Sequence, residues 1–153
     1  MTKPRKDRQV KSPPFIVFFK PQGIPLVQLE QVILTVDEYE AIRLADWEEL
    51  KHDEAASKMK ISRPTFTRLL NTAHKKISDA LVNGKAIRIE GGNYILLYNR
   101  FYCQNCNYIW NLKQGQSLPL VCPECGNTNI VNLSLQCGHG RGRKGWRHRG
   151  GSF

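Results

Sequence analysis

The feature that most constrains this chain is a pair of cysteine knuckles in its C-terminal third. Cys103 and Cys106 are separated by two residues, as are Cys122 and Cys125, and fifteen residues lie between the two pairs. A two-residue gap turns both sulfur atoms of a pair to one side of a tight turn, so two such knuckles can surround one tetrahedral ion. The pattern predicts a small β ribbon over residues 93–137, in which a metal supplies most of the folding free energy.

Four thiolate ligands indicate which metal the ribbon binds. Zinc favours a closed tetrahedral site of four cysteine sulfurs, so we expect one zinc ion. Iron accepts the same ligands, which makes a rubredoxin-like electron-transfer protein the chemical alternative. Cys137 is interpreted as a free thiol, and an accessory ligand pair with His139 is the alternative. Because the four ligands fill the coordination sphere and no activated nucleophile or phosphate loop accompanies them, the sequence does not predict an enzyme.

Three helices are predicted in the middle of the chain. Thr35 and Glu38 form a capping box, which indicates that a helix begins between them. A short helix with small alanines on its inner face follows over about 53–59. Ser62 is a suitable N-cap for a third helix, whose apolar residues recur three and four positions apart until Asn83. The sequence therefore predicts two helices joined by a tight turn, with another helix before them.

This order of elements is that of a helix-turn-helix, whose last helix lies in the major groove of DNA. Residues 37–54 carry eight acids and two bases, whereas residues 58–88 carry eight bases and one acid. Arginine and asparagine suit bidentate contacts with guanine and adenine, and lysines farther along the helix suit phosphates. The predicted DNA-binding residues are Arg63, Thr65, Thr67, Arg68, Asn71, Thr72, Lys75 and Lys76.

Two resemblances support this interpretation. Residues 35–82 resemble the promoter-recognition helix-turn-helix in the fourth region of sigma factors, through Thr35 to Glu38, Glu54 to Ala56 and Ile61 to Arg63. Residues 17 to about 94 resemble a family of small prokaryotic proteins described as DNA-binding. The segments that carry this second resemblance are Phe19-Lys20-Pro21, Gly23-Ile24-Pro25, Ala41 to Asp46, Leu81 to Ala86 and Ile89 to Tyr94. Both resemblances imply double-stranded DNA as the partner.

The chain departs from the second family's pattern at two positions. Lys60 stands where the family usually has a glycine in the turn, so a left-handed backbone at Lys60 would be strained. Pro64 replaces a polar residue that touches DNA, which removes one side chain from base readout.

The predicted fold class is α+β: an all-α helix-turn-helix domain over residues 15–92, followed by the small β zinc ribbon. Leu26, Leu29, Val32 and Ile33 have helical spacing and belong to the all-α domain. Residues 1–14 are basic and rich in proline, and are predicted to be a disordered arm. Residues 138–153 are glycine and arginine with no means of building a core, and are predicted to be a disordered tail.

Charge and hydropathy limit the partners. The net charge of +10 favours a polyanion, and the Gly/Arg tail could also bind RNA, so an RNA-binding or ribosome-associated protein is the alternative function. No apolar run reaches the roughly 18 residues of a membrane span. The N-terminus lacks a secretion signal, so the cytoplasm is expected. Helix-turn-helix proteins often bind two-fold sites, which leaves a homodimer open.

Overall fold

The computed structural model describes residues 7–136, which form a mixed α+β fold. Cys137, residues 138–153 and the first part of the predicted arm lie outside the described residues. Within them, no helix is long and apolar enough to cross a bilayer. The elements in chain order are β1 (Arg8–Val10), β2 (Phe18–Phe19), β3 (Gln31–Leu34), α1 (Val36–Ile42), α2 (His52–Met59), α3 (Arg63–Asn83), β4 (Ala86–Ile89), β5 (Tyr94–Leu96), β6 (Tyr98–Cys103), β7 (Ile109–Lys113) and β8 (Ile130–Asn132).

The helix boundaries follow from the caps that the sequence predicts. Thr35 accepts a hydrogen bond from the backbone N–H of Glu38, whose carboxylate accepts one from the N–H of Thr35 at 2.9 Å, so the capping box is confirmed. The chain continues from α1 into a wider π-helical turn, Arg43–Trp47. Ser62 caps α3, and Gly84 ends it in a left-handed conformation with φ 64°. The predicted start of α1 and the predicted start and end of α3 are therefore confirmed, and α2 begins at His52, one residue before its predicted start.

The three helices pack around one apolar cluster. Phe66, Met59 and Leu44 are almost completely buried at its centre. Ala55 and Ala56 line the inner face of α2, and their small side chains let α2 approach α3 closely. One face of α3 is therefore covered by α1 and α2, and the opposite face remains exposed to solvent.

The prediction that residues 15–92 are all-α is wrong. A three-stranded sheet in the order β2-β4-β3 also belongs to this unit, with β3 parallel to β4 and β2 antiparallel to it. The predicted helical spacing misled because Leu26–Gln28 forms only a single 3-10 turn after Pro25, and Gln31–Leu34 is a strand. Exposed and buried residues alternate along β3, which places Leu34 against α3.

The prediction of a disordered arm over residues 1–14 is wrong for residues 8–14. β1 pairs in parallel with β5, and Val10 is completely buried between the sheet and α1. Pro13 and Pro14 are buried as well. The basic, proline-rich composition concealed one apolar anchor and one cation, Arg8, which pairs with the buried carboxylate of Asp37. These contacts order the segment.

The N-terminal segment also joins the ribbon to the helical unit, which comprises α1, α2, α3 and the β2-β4-β3 sheet. Arg100 in β6 donates to the hydroxyl of Ser12 at 3.0 Å. The ring of Phe15 lies 5.5 Å from that of Tyr102, measured between centroids. Residues 8–15 thus contact both α1 and the ribbon strand that leads to the first cysteine, so the ribbon is held against the helical unit rather than tethered by a free linker.

The turn between α2 and α3 is left-handed at Lys60, as the departure from glycine implies. Its φ is 57° and its ψ is 41°. A Cβ atom in this conformation meets the following carbonyl oxygen, at a cost of roughly 1–2 kcal/mol. Lys60 therefore retains strain that a glycine would not have.

We expect Lys60→Gly to raise the free energy of unfolding by roughly 0.5–1 kcal/mol, because relief of strain exceeds the added flexibility of the unfolded chain. Lys58→Gly, two residues earlier within α2, should lower it by a similar amount. Urea denaturation followed by circular dichroism measures both. Equal losses of stability in the two variants would show that the left-handed turn stores no strain.

Candidate nucleic-acid interface and metal centre

The four knuckle cysteines converge on one point. Their sulfur atoms all lie within 4.8 Å of one another. The Sγ atoms of Cys103 and Cys125 are 3.6 Å apart, as are those of Cys106 and Cys122. A zinc ion bound at about 2.3 Å in a tetrahedron holds its sulfur ligands about 3.8 Å apart. The donor set and its spacing therefore fit a tetrahedral metal ion.

The two knuckles have the same backbone design. In the first, the N–H of Asn107 donates to the carbonyl of Cys103 at 2.9 Å; in the second, the N–H of Gly126 donates to the carbonyl of Cys122 at the same distance. Asn107 and Gly126 are both left-handed, with φ 62° and 70°. One cysteine of each pair, Cys103 and Cys122, is buried, and its partner is exposed. β6, β7 and β8 form the sheet that carries the first knuckle.

Hydrogen bonds lower the pKa of one cysteine of the cluster, Cys125, and so favour its thiolate form. The side-chain amide of Asn105 donates to the sulfur of Cys125 at 3.5 Å, and with the backbone N–H of Asn127 it lowers the pKa of Cys125 to about 6. The backbone of Tyr108 acts in the same direction on Cys106, but partial desolvation within the cluster and hydrogen bonds with the neighbouring thiols outweigh it and raise the pKa of Cys106 to about 12. At neutral pH the free cluster therefore holds both a thiolate and at least one thiol.

Zinc affinity should consequently fall with acidification, because zinc must displace protons from the thiols. The thiolate of Cys125, whose pKa is lowered, persists down to about pH 6 and is lost below it. We expect the affinity to fall at least about tenfold per pH unit from 7.5 to 6, and more steeply below 6. Competition with a chromogenic chelator measures this, and an affinity independent of pH would contradict cysteine ligation.

The exposed face of α3 contains half of the eight predicted DNA-binding residues. Arg68, Asn71 and Lys75 project from the side opposite to Phe66 and Ala73, which are buried. Arg68 and Lys75 form no ion pair with any acid in residues 7–136. Thr72 is exposed on the edge of this face, and its hydroxyl donates to the carbonyl of Arg68 at 3.0 Å. We call Arg68, Asn71, Thr72 and Lys75 the outer face of α3.

Other predicted residues contact neighbouring helices. The ammonium group of Lys76 binds both carboxylate oxygens of Glu38, at 2.8 and 2.9 Å, and is only partly exposed. The hydroxyl of Thr67 lies 2.9 Å from Nδ1 of His52. Both residues lie on the flanks of α3, over which α1 and α2 fold. The structure therefore does not bring Lys76 and Thr67 to the outer face.

Two predicted residues lie near the start of α3. Arg63 is exposed and forms a loose pair with Asp53 at 3.6 Å. Thr65 is half-buried and shares a hydrogen bond of 2.8 Å with the capping Ser62. Both lie beside the outer face, so they can extend it toward the turn.

Sequence reasoning missed two cations beside the outer face. Arg8 and Lys60 line the same cleft as Arg68 and Thr65. Arg8 was missed because it was assigned to a disordered arm, and Lys60 because a turn residue was treated only as a backbone position. The available signal was Lys60 itself, because a basic residue stands at a position where glycine would relieve backbone strain.

Fold and site together define a small α+β protein in which a helical unit with a basic exposed helix is joined to a four-cysteine cluster that could bind a metal ion. Residues 1–97 match a family model described as "Protein of unknown function DUF134", and the chain belongs to this family. The match ends before the first cysteine, so the helical unit is the part that the family model describes.

Several relatives are similar in sequence to much of this chain. A UPF0251 protein of Moorella thermoacetica is 45% identical over 153 residues, which are 100% of this chain and 97% of the relative. A UPF0251 protein of Methanocella arvoryzae is 44% identical over 140 residues, 90% of this chain and 82% of the relative. UPF0251 protein TTE1845 of Caldanaerobacter subterraneus subsp. tengcongensis is 62% identical over 94 residues, 61% of this chain and 80% of the relative. No solved structure matches the chain significantly.

Proposed function

We propose that this protein is a sequence-specific binder of double-stranded DNA and a transcriptional regulator, with α2, the turn and α3 acting as a helix-turn-helix. The observation that carries the proposal is the outer face of α3. It presents an arginine, an asparagine and a lysine to solvent on the helix that follows the tight turn and the Ser62 cap, and α1 and α2 cover the opposite side and the flanks of that helix. Such a face has the shape and the donors to enter a major groove.

Internal pairing of the acids in α1 strengthens the positive charge of this face. Asp37, Glu38 and Glu40 are each at most 5% exposed, and their partners are Arg8, Lys76 and Arg43. The acidic stretch that precedes α3 is therefore partly neutralised inside the fold. Arg68 and Lys75 have no such partners among the described residues, so they are available to an anionic ligand.

The ribbon has a structural role in this proposal, with zinc as its metal. Cys103, Cys106, Cys122 and Cys125 would hold the ion, which supplies a cross-link between the two knuckles and no reaction. Metal analysis of the purified protein tests its identity. One zinc per chain and no visible absorption supports the proposal, whereas a red protein with one iron per chain supports electron transfer.

Arg68→Ala tests base readout. We expect it to weaken binding to a preferred duplex by about 1–3 kcal/mol, which is roughly 5- to 150-fold, because a bidentate contact with guanine is lost. Binding to a scrambled duplex should change far less. Fluorescence anisotropy measures both affinities, with Lys113→Gln on the exposed side of the ribbon as a control of equal charge change. An unchanged ratio between preferred and scrambled duplexes would contradict this placement of the helix.

A further inference from the structure

A cleft of about 880 Å³ lies beside the first three turns of α3. Four separate segments build its walls: β1, the start of α1, the end of α2 with its turn, and α3. The residues that matter for its chemistry are Arg8, Glu38, Ser57, Lys60, Arg68 and Thr72. Arg68 belongs both to this cleft and to the outer face of α3, so the two surfaces are continuous.

The cleft has an excess of positive charge. Its one carboxylate, Glu38, already binds Lys76 and the backbone N–H of Thr35. The charge of Arg8 is balanced by Asp37, but this guanidinium still lines the cleft. Lys60 forms no ion pair with the acids of residues 7–136. An anionic ligand therefore meets two cations next to Arg68 without displacing an internal pair at Lys60.

The remaining polar groups of the cleft suit phosphate. Ser57, Ser62, Thr65 and Thr72 contribute hydroxyls to its lining. Phosphate oxygens in protein–DNA complexes are bound chiefly by arginine, lysine and such hydroxyls. The volume lies in the range of small-ligand sites, and it exceeds what a single phosphate fills. The cleft can therefore accept a phosphate together with part of the chain or sugar that carries it.

We propose that this cleft binds phosphate, with Lys60 supplying unpaired positive charge and Arg8 supplying a guanidinium donor. The expected source rests on the proposed function: it is a backbone phosphodiester of the duplex, held beside the outer face so that Arg68 meets a base edge in a fixed register. A free phosphate compound is the other source of the same chemistry. The strain at Lys60 has a consistent explanation, since a glycine there would relax the turn and remove a phosphate ligand.

Lys60→Gly in the full chain separates binding from stability, because it removes the cation without lowering the thermal midpoint. We expect about five- to tenfold weaker binding to preferred and scrambled duplexes alike, and a salt dependence whose slope in log Kd against log salt is smaller by about 0.9. Lys60→Gln should behave similarly, whereas the matched Lys113→Gln should leave affinity and slope unchanged. Weakening of the preferred duplex alone would overturn a phosphate role for Lys60.

Titration with inorganic phosphate, followed by amide NMR of the cleft residues, distinguishes the two sources. If Lys60→Gly weakens binding to the preferred and the scrambled duplex alike, the backbone source is supported. Two results would instead indicate the free source: Lys60→Gly leaves duplex binding unchanged, or the wild-type protein binds no duplex. If phosphate nevertheless shifts the cleft resonances of the wild-type protein and Lys60→Gly abolishes these shifts, the cleft binds free phosphate compounds, and only the DNA assignment fails. If neither duplex nor phosphate depends on Lys60, the proposal is overturned, whatever the outer face binds.

Discussion

Removal of the metal is expected to unfold the ribbon and to leave α1, α2 and α3 folded. Among residues 98–136, the buried apolar side chains apart from cysteine are Phe101 and Leu133, which is too few to order this segment. Leu118 and Leu120 are 65% and 83% exposed and add nothing to a core. The metal should therefore contribute on the order of 10 kcal/mol to the folding of the ribbon, and Cys122→Ser should remove most of it.

Hydrogen exchange with and without a strong chelator measures this effect region by region. Amides of β6, β7 and β8 should lose protection on chelation, while those in the middle of α3 keep it. Cys137→Ser is the matched control, because its thiol is interpreted as free and the variant should retain one metal per chain. A ribbon that stays protected after chelation would show that apolar packing, not the metal, folds it.

Arg8→Ala is expected to have the second-largest effect, a loss of about 3–5 kcal/mol in the free energy of unfolding. Asp37 is 2% exposed, Arg8 forms an ion pair with its Oδ2 atom, and its Oδ1 atom has no hydrogen-bond partner among residues 7–136. Gly92 approaches this carboxylate closely, since a Cβ on Gly92 would lie 2.4 Å from Oδ1. Without Arg8, a carboxylate remains buried and unpaired.

Two further variants identify the cause of this loss. Arg88→Ala removes an exposed pair with Glu90, in which both side chains are about 40% exposed, and should cost less than about 1 kcal/mol. Arg8→Met combined with Asp37→Leu removes both charges and should recover much of the stability that Arg8→Ala loses. Chemical denaturation measures all three. An Arg8→Ala variant as stable as Arg88→Ala would show that the pair does not anchor β1.

The local signals in the sequence were sufficient for the helices and the four-cysteine cluster. The capping box at Thr35, the N-cap at Ser62 and the stop at Gly84 depend on residues a few positions apart, and each determines its own backbone hydrogen bonds. The cysteine spacing likewise predicts both knuckles because each knuckle is a local turn. Elements of this kind can be read from one sequence without knowledge of the tertiary fold.

Long-range pairing was not predictable in the same way. β1 is stabilised by β5, more than eighty residues later in the chain, and by Asp37 in α1, and nothing in its basic composition indicates these partners. The same reason explains Lys76, whose carboxylate partner lies 38 residues earlier. Periodicity shows which face of a helix is apolar, but tertiary contacts decide which polar flank is covered.

Selection of genomic DNA fragments by the purified, metal-analysed protein tests the central claim most directly. It should be performed at low and near-physiological salt, with an Arg68→Ala/Asn71→Ala variant in parallel. We expect the wild-type protein to recover a shared short motif that survives the higher salt, and the variant to lose the motif while retaining salt-sensitive binding. Unrelated fragments that dissociate with salt, for wild type and variant alike, would contradict sequence recognition by the outer face of α3.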